Sequence, residues 1–437
     1  MCRRSMRNGL VRSRRIGPAA GLSRLYFKLE SLNPTGGRLF STAVELPPKP
    51  VLLPMKVRFH MTLAGRSLNL NSCRERQQRF AEVLQQRDAD LAILTRPEHV
   101  YYFTGFRTHP LLQAIVAITS GGSTTLCAPN EAPESVAADE IVTYEAQWRC
   151  TLRQDQLAAA LAVLKSAWPR RTHRGKLAVE GSNQALWLFG WIDHSGASVI
   201  DIDPDLWMLR RCKDADELDL IRRAIDCAEA MYRVASEIIV PGITEIEVYN
   251  QLHAEGVNAA GEPLTSFGND FQCGSPGGLP RSRPIEAGEL YILDLAPGYR
   301  GYCADMCRTI CVGTHPTDEQ RHAWEAIFDV LKMVEQTVRP GVSAAQLDRD
   351  AQQLLAAAIP KGCFHHLGHG FGLSPHEAPH LNAAWDDFFQ SGDVFTAEPG
   401  LYAPSLKAGI RLEQNYLVTE NGVERLTSFP LELVQRR

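Results

Sequence analysis

The 437-residue sequence is short of several things, and each shortage removes a class of reading. No apolar run approaches the ~20 residues of a membrane-spanning helix, so no membrane partner is expected. The eleven cysteines contain no C-x-x-C pair and no regular framework. Cys303, Cys307 and Cys311 lie four apart in a strand-like stretch, which suits neither a zinc knuckle nor a disulfide scaffold. They read as buried or half-buried reduced thiols in a reducing compartment, which points to the cytoplasm. Acidic residues are scarce at the N-terminus, where only Glu30 and Glu45 oppose twelve Lys/Arg in the first 60 positions. That segment carries +10 and the rest of the chain −14, within a total of −4. Residues 1–66 are therefore expected to be a disordered basic arm: a transit peptide, which would make the protein organellar, a contact for an anionic surface, or an overextended start before Met61. The acidic body argues against nucleic acid as a partner.

What is present is ordinary globular composition, 44% hydrophobic and 22% charged, with enough chain for two domains. Over residues 67–208 the helical spacing of Phe80, Val83 and Leu84 gives way to "LAILT", "VYYFTGF", "AIVAIT" and "STTLCAP", which read as strands. "DQLAAALAVLKSAW" reads as a further helix and "KLAVEG" as a further strand, so this part is an α/β unit. Tyr101, Tyr102 and His109 within it are expected to pack rather than bind. From about 209 a long helix is expected, with Leu218, Ile221, Ile225, Ala228, Met231, Tyr232, Ala235 and Ile238 on one face. After "PGI", Thr244 and Glu247 form a capping box for the next helix. Strands and helices alternate to the C-terminus.

"HHLGHGFGLSPHEAPH" (365–380) places five histidines in sixteen positions and ends in H-E-x-x-H. A zinc helix needs those histidines one turn apart on continuous helix. Pro375 and Pro379 forbid that, since proline inside a helix removes a hydrogen bond and clashes with the preceding turn. Gly368, Gly370 and Gly372 favour extended or turning backbone instead.

Carboxylates supply the histidines with a purpose. Asp294 and Asp305 are eleven residues apart around Pro297-Gly298-Tyr299-Arg300, and a hairpin folded between Tyr299 and Arg300 would set them directly opposite. Glu398 and Glu413 fall opposite each other if residues 396–414 fold about Pro404-Ser405-Leu406-Lys407. Facing carboxylates in apolar strands resist ionisation unless a cation lies between them. Two such pairs beside a histidine strand make an oxygen-rich cage suited to a pair of divalent ions about 3.5–4 Å apart. That donor set favours Mn, Mg, Fe or Co over structural zinc.

The motifs D-x-x-P-G-Y-R-G-Y-x-A-D-x-x-R-T, H-x-x-G-H-G-x-G-x-x-x-H-E, E-P-G-x-Y and G-I-R-x-E, in this order, resemble the creatinase/prolidase/aminopeptidase P metallopeptidases of family M24. The resemblance runs from about Arg74 to the C-terminus. It implies an α+β protein: a smaller creatinase-like α/β domain over 67–208, then a pita-bread catalytic domain over 209–437 with pseudo-symmetric α/β halves around a curved antiparallel sheet. It further implies that Asp294 binds one metal, His369 and Glu398 the other, and that Asp305 and Glu413 bridge. His365 and His376 match the histidines that contact substrate and stabilise the tetrahedral intermediate, and Arg411 the basic residue that meets the carboxyl end of proline. His366 and His380 have no such counterpart and read as structural.

The implied activity is hydrolysis of the X–Pro bond of dipeptides or short peptides by a hydroxide shared between two divalent ions, with Glu398 moving the proton. Manganese is the expected metal, with cobalt, iron or zinc as alternatives, and the family commonly forms homodimers. Two departures stand out. No histidine occurs in 269–291, where relatives carry one, and Arg281 or Cys273 sits nearest its place. Cys307 replaces the usual threonine after the second aspartate. The first departure motivates an alternative, a creatinase-like hydrolase or a lyase acting on a small charged molecule. A metal-free binding module is a third reading.

Overall fold

The computed structural model describes residues 67–167, 175–183 and 198–433, so the readings made of the basic arm lie outside them. The first lobe is a six-stranded mixed sheet in the order 140–144, 124–129, 115–119, 89–94, 176–179, 198–201. Successive side chains on a strand face opposite ways. Accordingly Ala92 and Leu94 join Phe80, Leu84 and Leu206 on one face, while Leu91 and Ile93 join Leu161 and Leu164 on the other. Helices thus cover both sides, as the α/β pattern predicts.

One element differs from expectation. "VYYFTGF" is not a strand, since Pro97–Thr104 is a helix. Pro97 opens it, Glu98 stands in its first turn and Gly105 closes it at φ 70°. Those end signals outweigh the aromatic composition that suggested a strand. Tyr101 and Tyr102 are buried there as packing residues, as expected.

The second lobe has two halves of similar build. The helix Ala215–Ile238 buries Ile221, Ile225, Ala228, Met231, Tyr232 and Ala235, with Leu218 and Ile238 partly buried on the same face. Asp214 and Glu217 form its capping box, and Thr244 with Glu247 caps Glu245–Ala260. This pair packs on the antiparallel strands 306–311, 290–295 and 268–270. The pair Asp318–Thr337 and Ala344–Ala358 packs on a five-stranded sheet ordered 377–381, 368–370, 394–397, 414–418, 423–425. Among the described residues no helix is long and apolar enough to cross a membrane.

Strand alternation decides what the halves present to each other. Tyr291, Leu293 and Leu295 turn to the first helix pair, and so do Ala304 and Met306. Phe395, Ala397, Ile410 and Leu412 turn to the second. Asp294, Asp305, Glu398, Arg411 and Glu413 are thereby left on the opposite faces, aimed into the space between.

Candidate active site

A cavity of about 370 Å³ lies between the halves. All eight residues singled out from the sequence line it: Asp294, Asp305, His365, His369, His376, Glu398, Arg411 and Glu413. The histidine stretch is extended, as expected, with Gly368–Gly370 and Glu377–Leu381 as neighbouring strands and no zinc helix. The glycines flanking His369 permit its strand to fit, because a Cβ on Gly368 would lie 2.0 Å from the Thr396 carbonyl oxygen and one on Gly370 2.1 Å from that of Ala378.

The two acid pairs meet differently. Ala397 pairs with Gln414 and Gly400 with Arg411, a register that sets Glu398 across from Glu413, as predicted. The first hairpin turns further along than expected. Tyr299 pairs with Tyr302, and Arg300 and Gly301 make the turn at φ 52° and 92°. Two consecutive positive φ values suit a two-residue hairpin turn, and Gly301 adopts one freely. Asp294 therefore faces Cys307, so Asp305 is its diagonal neighbour rather than its direct partner. The shift is by two residues on the return strand, which keeps both carboxylates on one face.

The donor atoms of Asp305, His369 and Glu413 lie within 4.8 Å of one another. His369 Nε2 is 3.7 Å from Asp305 Oδ2 and 3.5 Å from Glu398 Oε1. Burial, then Glu413, Asp294 and Glu398, push the Asp305 carboxyl well above its ordinary range. Burial and the same kind of crowding raise Glu413, and raise Asp294 to about 6 despite Arg411. For Glu398 burial acts upward, but the His366 hydrogen bond and the His369 and Arg411 charges outweigh it, and its carboxyl stays low. Burial lowers His369 to about 4, so its imidazole is neutral and able to ligate.

Two carboxylate oxygens, Asp294 Oδ1 and Glu413 Oε2, are buried without any hydrogen-bond partner. Unpartnered buried oxygens in a cluster of mutually repelling acids are what a cation site presents. The residues present fit a divalent metal.

Seven lining residues escaped the sequence reading, and the side chains of three of them hydrogen-bond to residues it named. His366, expected to be structural, lines the cavity and places Nε2 2.9 Å from Glu398 Oε1. It reads as structural in the sequence because the family motif offers it no counterpart. Tyr402, the last residue of E-P-G-x-Y, donates or accepts at 3.0 Å with His365 Nε2 and accepts from Arg411 Nη1 at 3.0 Å. Asp270 pairs across the strand with Asp294 and binds Arg411. Nothing in its spacing marked it, since its partner is 24 residues away. His380, by contrast, bonds Asp387 at 2.8 Å and packs on Trp385 outside the cavity, consistent with the structural reading.

The residues nearest the place of the family histidine are both engaged elsewhere. Arg281 binds Glu245 at 2.6 Å, and Cys273 is buried in a bridge with Tyr291. Cys307 is buried, and its carbonyl accepts from the Glu413 amide at 3.0 Å.

Residues 219–420 match metallopeptidase family M24, and residues 76–212 match the creatinase/prolidase N-terminal domain. An uncharacterized peptidase of Staphylococcus haemolyticus is 31% identical over 363 residues, which cover 80% of this chain and 98% of that protein. Among solved structures, the prolidase of Pyrococcus horikoshii OT3 superposes with a TM-score of 0.69 at 26% identity, covering 82% of this chain and 99% of the other. The prolidase of Pyrococcus furiosus superposes at 0.67 and 26%, covering 80% and 99%.

Proposed function

Since this chain belongs to metallopeptidase family M24, we propose that it hydrolyses the X–Pro bond of dipeptides or short peptides with two divalent ions. The observation that carries the reading is the acid cage itself: four carboxylates and a neutral imidazole around one cavity, with two buried oxygens lacking partners. Asp294 would hold one ion and His369 with Glu398 the other, Asp305 and Glu413 being shared. Bound there, divalent ions lower the pKa of water from ~15.7 to about 7 and polarise a carbonyl. Manganese suits so oxygen-rich a set, with cobalt, iron or zinc as alternatives.

The chain's own groups divide the remaining work. Glu398, held low by His366, is ionised and accepts the proton released by the nucleophilic water. It returns that proton to the proline nitrogen as the C–N bond breaks. His376, stacked 3.6 Å from His369 between ring centres, is placed to donate to the developing oxyanion. His365, Tyr402 and Arg411 form one hydrogen-bonded string along the wall where proline would lie. A tertiary amide offers no N–H, so recognition there rests on the ring. A homodimer and a cytoplasmic location belong to the same proposal.

The test is turnover of Gly-Pro, Ala-Pro and longer X-Pro peptides by manganese-loaded protein. Hydrolysis lost on the order of 10²–10⁴-fold in Glu398→Gln is the expected result. Metal uptake without hydrolysis of any of them overturns the peptidase reading in favour of a creatinase-like hydrolase or lyase. Arg281, turned away to Glu245 where relatives carry a histidine, is the observation that favours this alternative. Failure to take up metal would leave a binding module.

A further inference from the structure

Among the described residues, Arg411 is the only lysine or arginine lining the cavity. For a substrate carboxylate in the pocket that is not on a metal, this guanidinium is the one permanent cation among the described lining residues. Yet its Nη2 donates to two carboxylates at once, to Asp270 Oδ2 and, at 2.7 Å, to Asp294 Oδ2. Nη1 donates to Tyr402 Oη, and Nε, buried without a hydrogen-bond partner, lies 3.9 Å from Glu398 Oε2. Bidentate capture of a carboxylate uses two parallel N–H groups, and one of Arg411's forks is already closed by Asp270.

Asp270 is fixed where it stands. Its other oxygen, Oδ1, accepts from the Gly278 amide at 2.7 Å. Gly277 makes room for it, since a Cβ there would fall 2.5 Å from that oxygen. The charge count gives the consequence. Two divalent ions would neutralise Asp294, Asp305, Glu398 and Glu413, leaving Arg411 as a permanent positive charge on the wall. Asp270 cancels it. A free carboxylate entering beside Arg411 would meet a like charge, which is how interfaces reject wrong partners.

Resting on the X–Pro reading, we infer that Asp270 is a specificity-determining residue that turns the pocket from free-carboxylate substrates toward those whose proline end is an uncharged amide or a continuing chain.

The experiment compares kcat/KM for Ala-Pro and Ala-Pro-amide, with manganese, in the wild type and Asp270→Asn. Asparagine can keep the Gly278 bond and loses the charge. The wild type is expected to prefer the amide, and the ratio should move toward the acid by about tenfold or more in the variant. Gly277→Ala, which displaces Asp270 without altering any charge, should move the ratio the same way and serves if Asp270→Asn does not fold. A ratio unchanged within about twofold in a folded variant overturns the inference while leaving the X–Pro reading intact. If neither substrate is cleaved, that reading is what fails. Calorimetric binding of L-proline against L-prolinamide then decides: a gain for proline in the variant sustains the role of Asp270, and equal shifts in both refute it.

Discussion

Two clusters of buried charge in this protein are built to opposite rules. At the start of the helix Ala215–Ile238, fully buried Arg76 is saturated. Its Nη1 donates to Asp214 and Asp216 at 3.0 Å, its Nη2 to Asp216 at 3.0 Å and its Nε to the Tyr102 carbonyl at 2.9 Å. Across the cavity, Asp294, Asp305 and Glu413 are raised by burial and by one another, and two of their oxygens have no partner. Buried acids with a complete set of donors hold a structure together. Buried acids without one, crowded against one another around a cavity, suit a cation.

Breaking the saturated cluster should therefore be costly and breaking the unsaturated one cheap. Arg76→Met leaves Asp216 without a counter-ion, while Asp214 keeps Arg79 at 2.7 Å, and should lose about 3–5 kcal/mol of stability in urea unfolding. A loss below about 1 kcal/mol would erase the distinction. Glu377 is a second saturated acid, held by Lys213 at 3.0 Å and by Arg210. Burial would raise its carboxyl, but these two cations outweigh it and take it from 4.5 down to about 2. A lowered native pKa stabilises above the ordinary value and is lost as pH falls through the native one. Roughly 3 kcal/mol should thus disappear between about pH 4.5 and 2, and not in Glu377→Gln. Identical acid titrations of the two proteins would contradict this.

The unsaturated cluster should respond the other way. Chelation of the metal-loaded wild type should lower its Tm, by the equivalent of about 2.7 kcal/mol where free metal had stood at 100 times its Kd. Metal-free Asp305→Asn, relieved of one repelling charge, should match or exceed the metal-free wild type. A clear fall in its Tm would show that the acids are paired after all. The smallest effect is expected at His380→Ala, which should cost less than about 1 kcal/mol and leave turnover unchanged, since its ring bonds Asp387 away from the cavity.

The same contrast explains what could be read from the sequence. Asp294, Asp305, Glu398 and Glu413 were legible because each pair lies within one hairpin, where spacing fixes the face. His369 came from the family motif, its flanking glycines indicating only extended or turning backbone. Asp270 was not legible, because it reaches Arg411 from another strand and only the folded chain joins them. The exact partner of Asp294 was missed by two residues, since Tyr299 and Tyr302 close a tighter turn than Pro297 suggested. Pro97–Thr104 was misread because its aromatic residues pack like those of a strand, while its identity is written at its ends.

The expected boundary at residues 208 and 209 falls inside the helix Asp203–Arg211, and that placement limits how the molecule can be taken apart. Arg210 spans from His99, at 3.0 Å in the first lobe, to Glu377, next to His376 in the second. A catalytic fragment cut downstream of Lys213 would strand a carboxylate indoors with no counter-ion, one residue from the ring proposed to meet the oxyanion. The front lobe is thus a structural tenant of the active site as well as its neighbour, and a transplant of the rear lobe onto another front end must carry both cations with it.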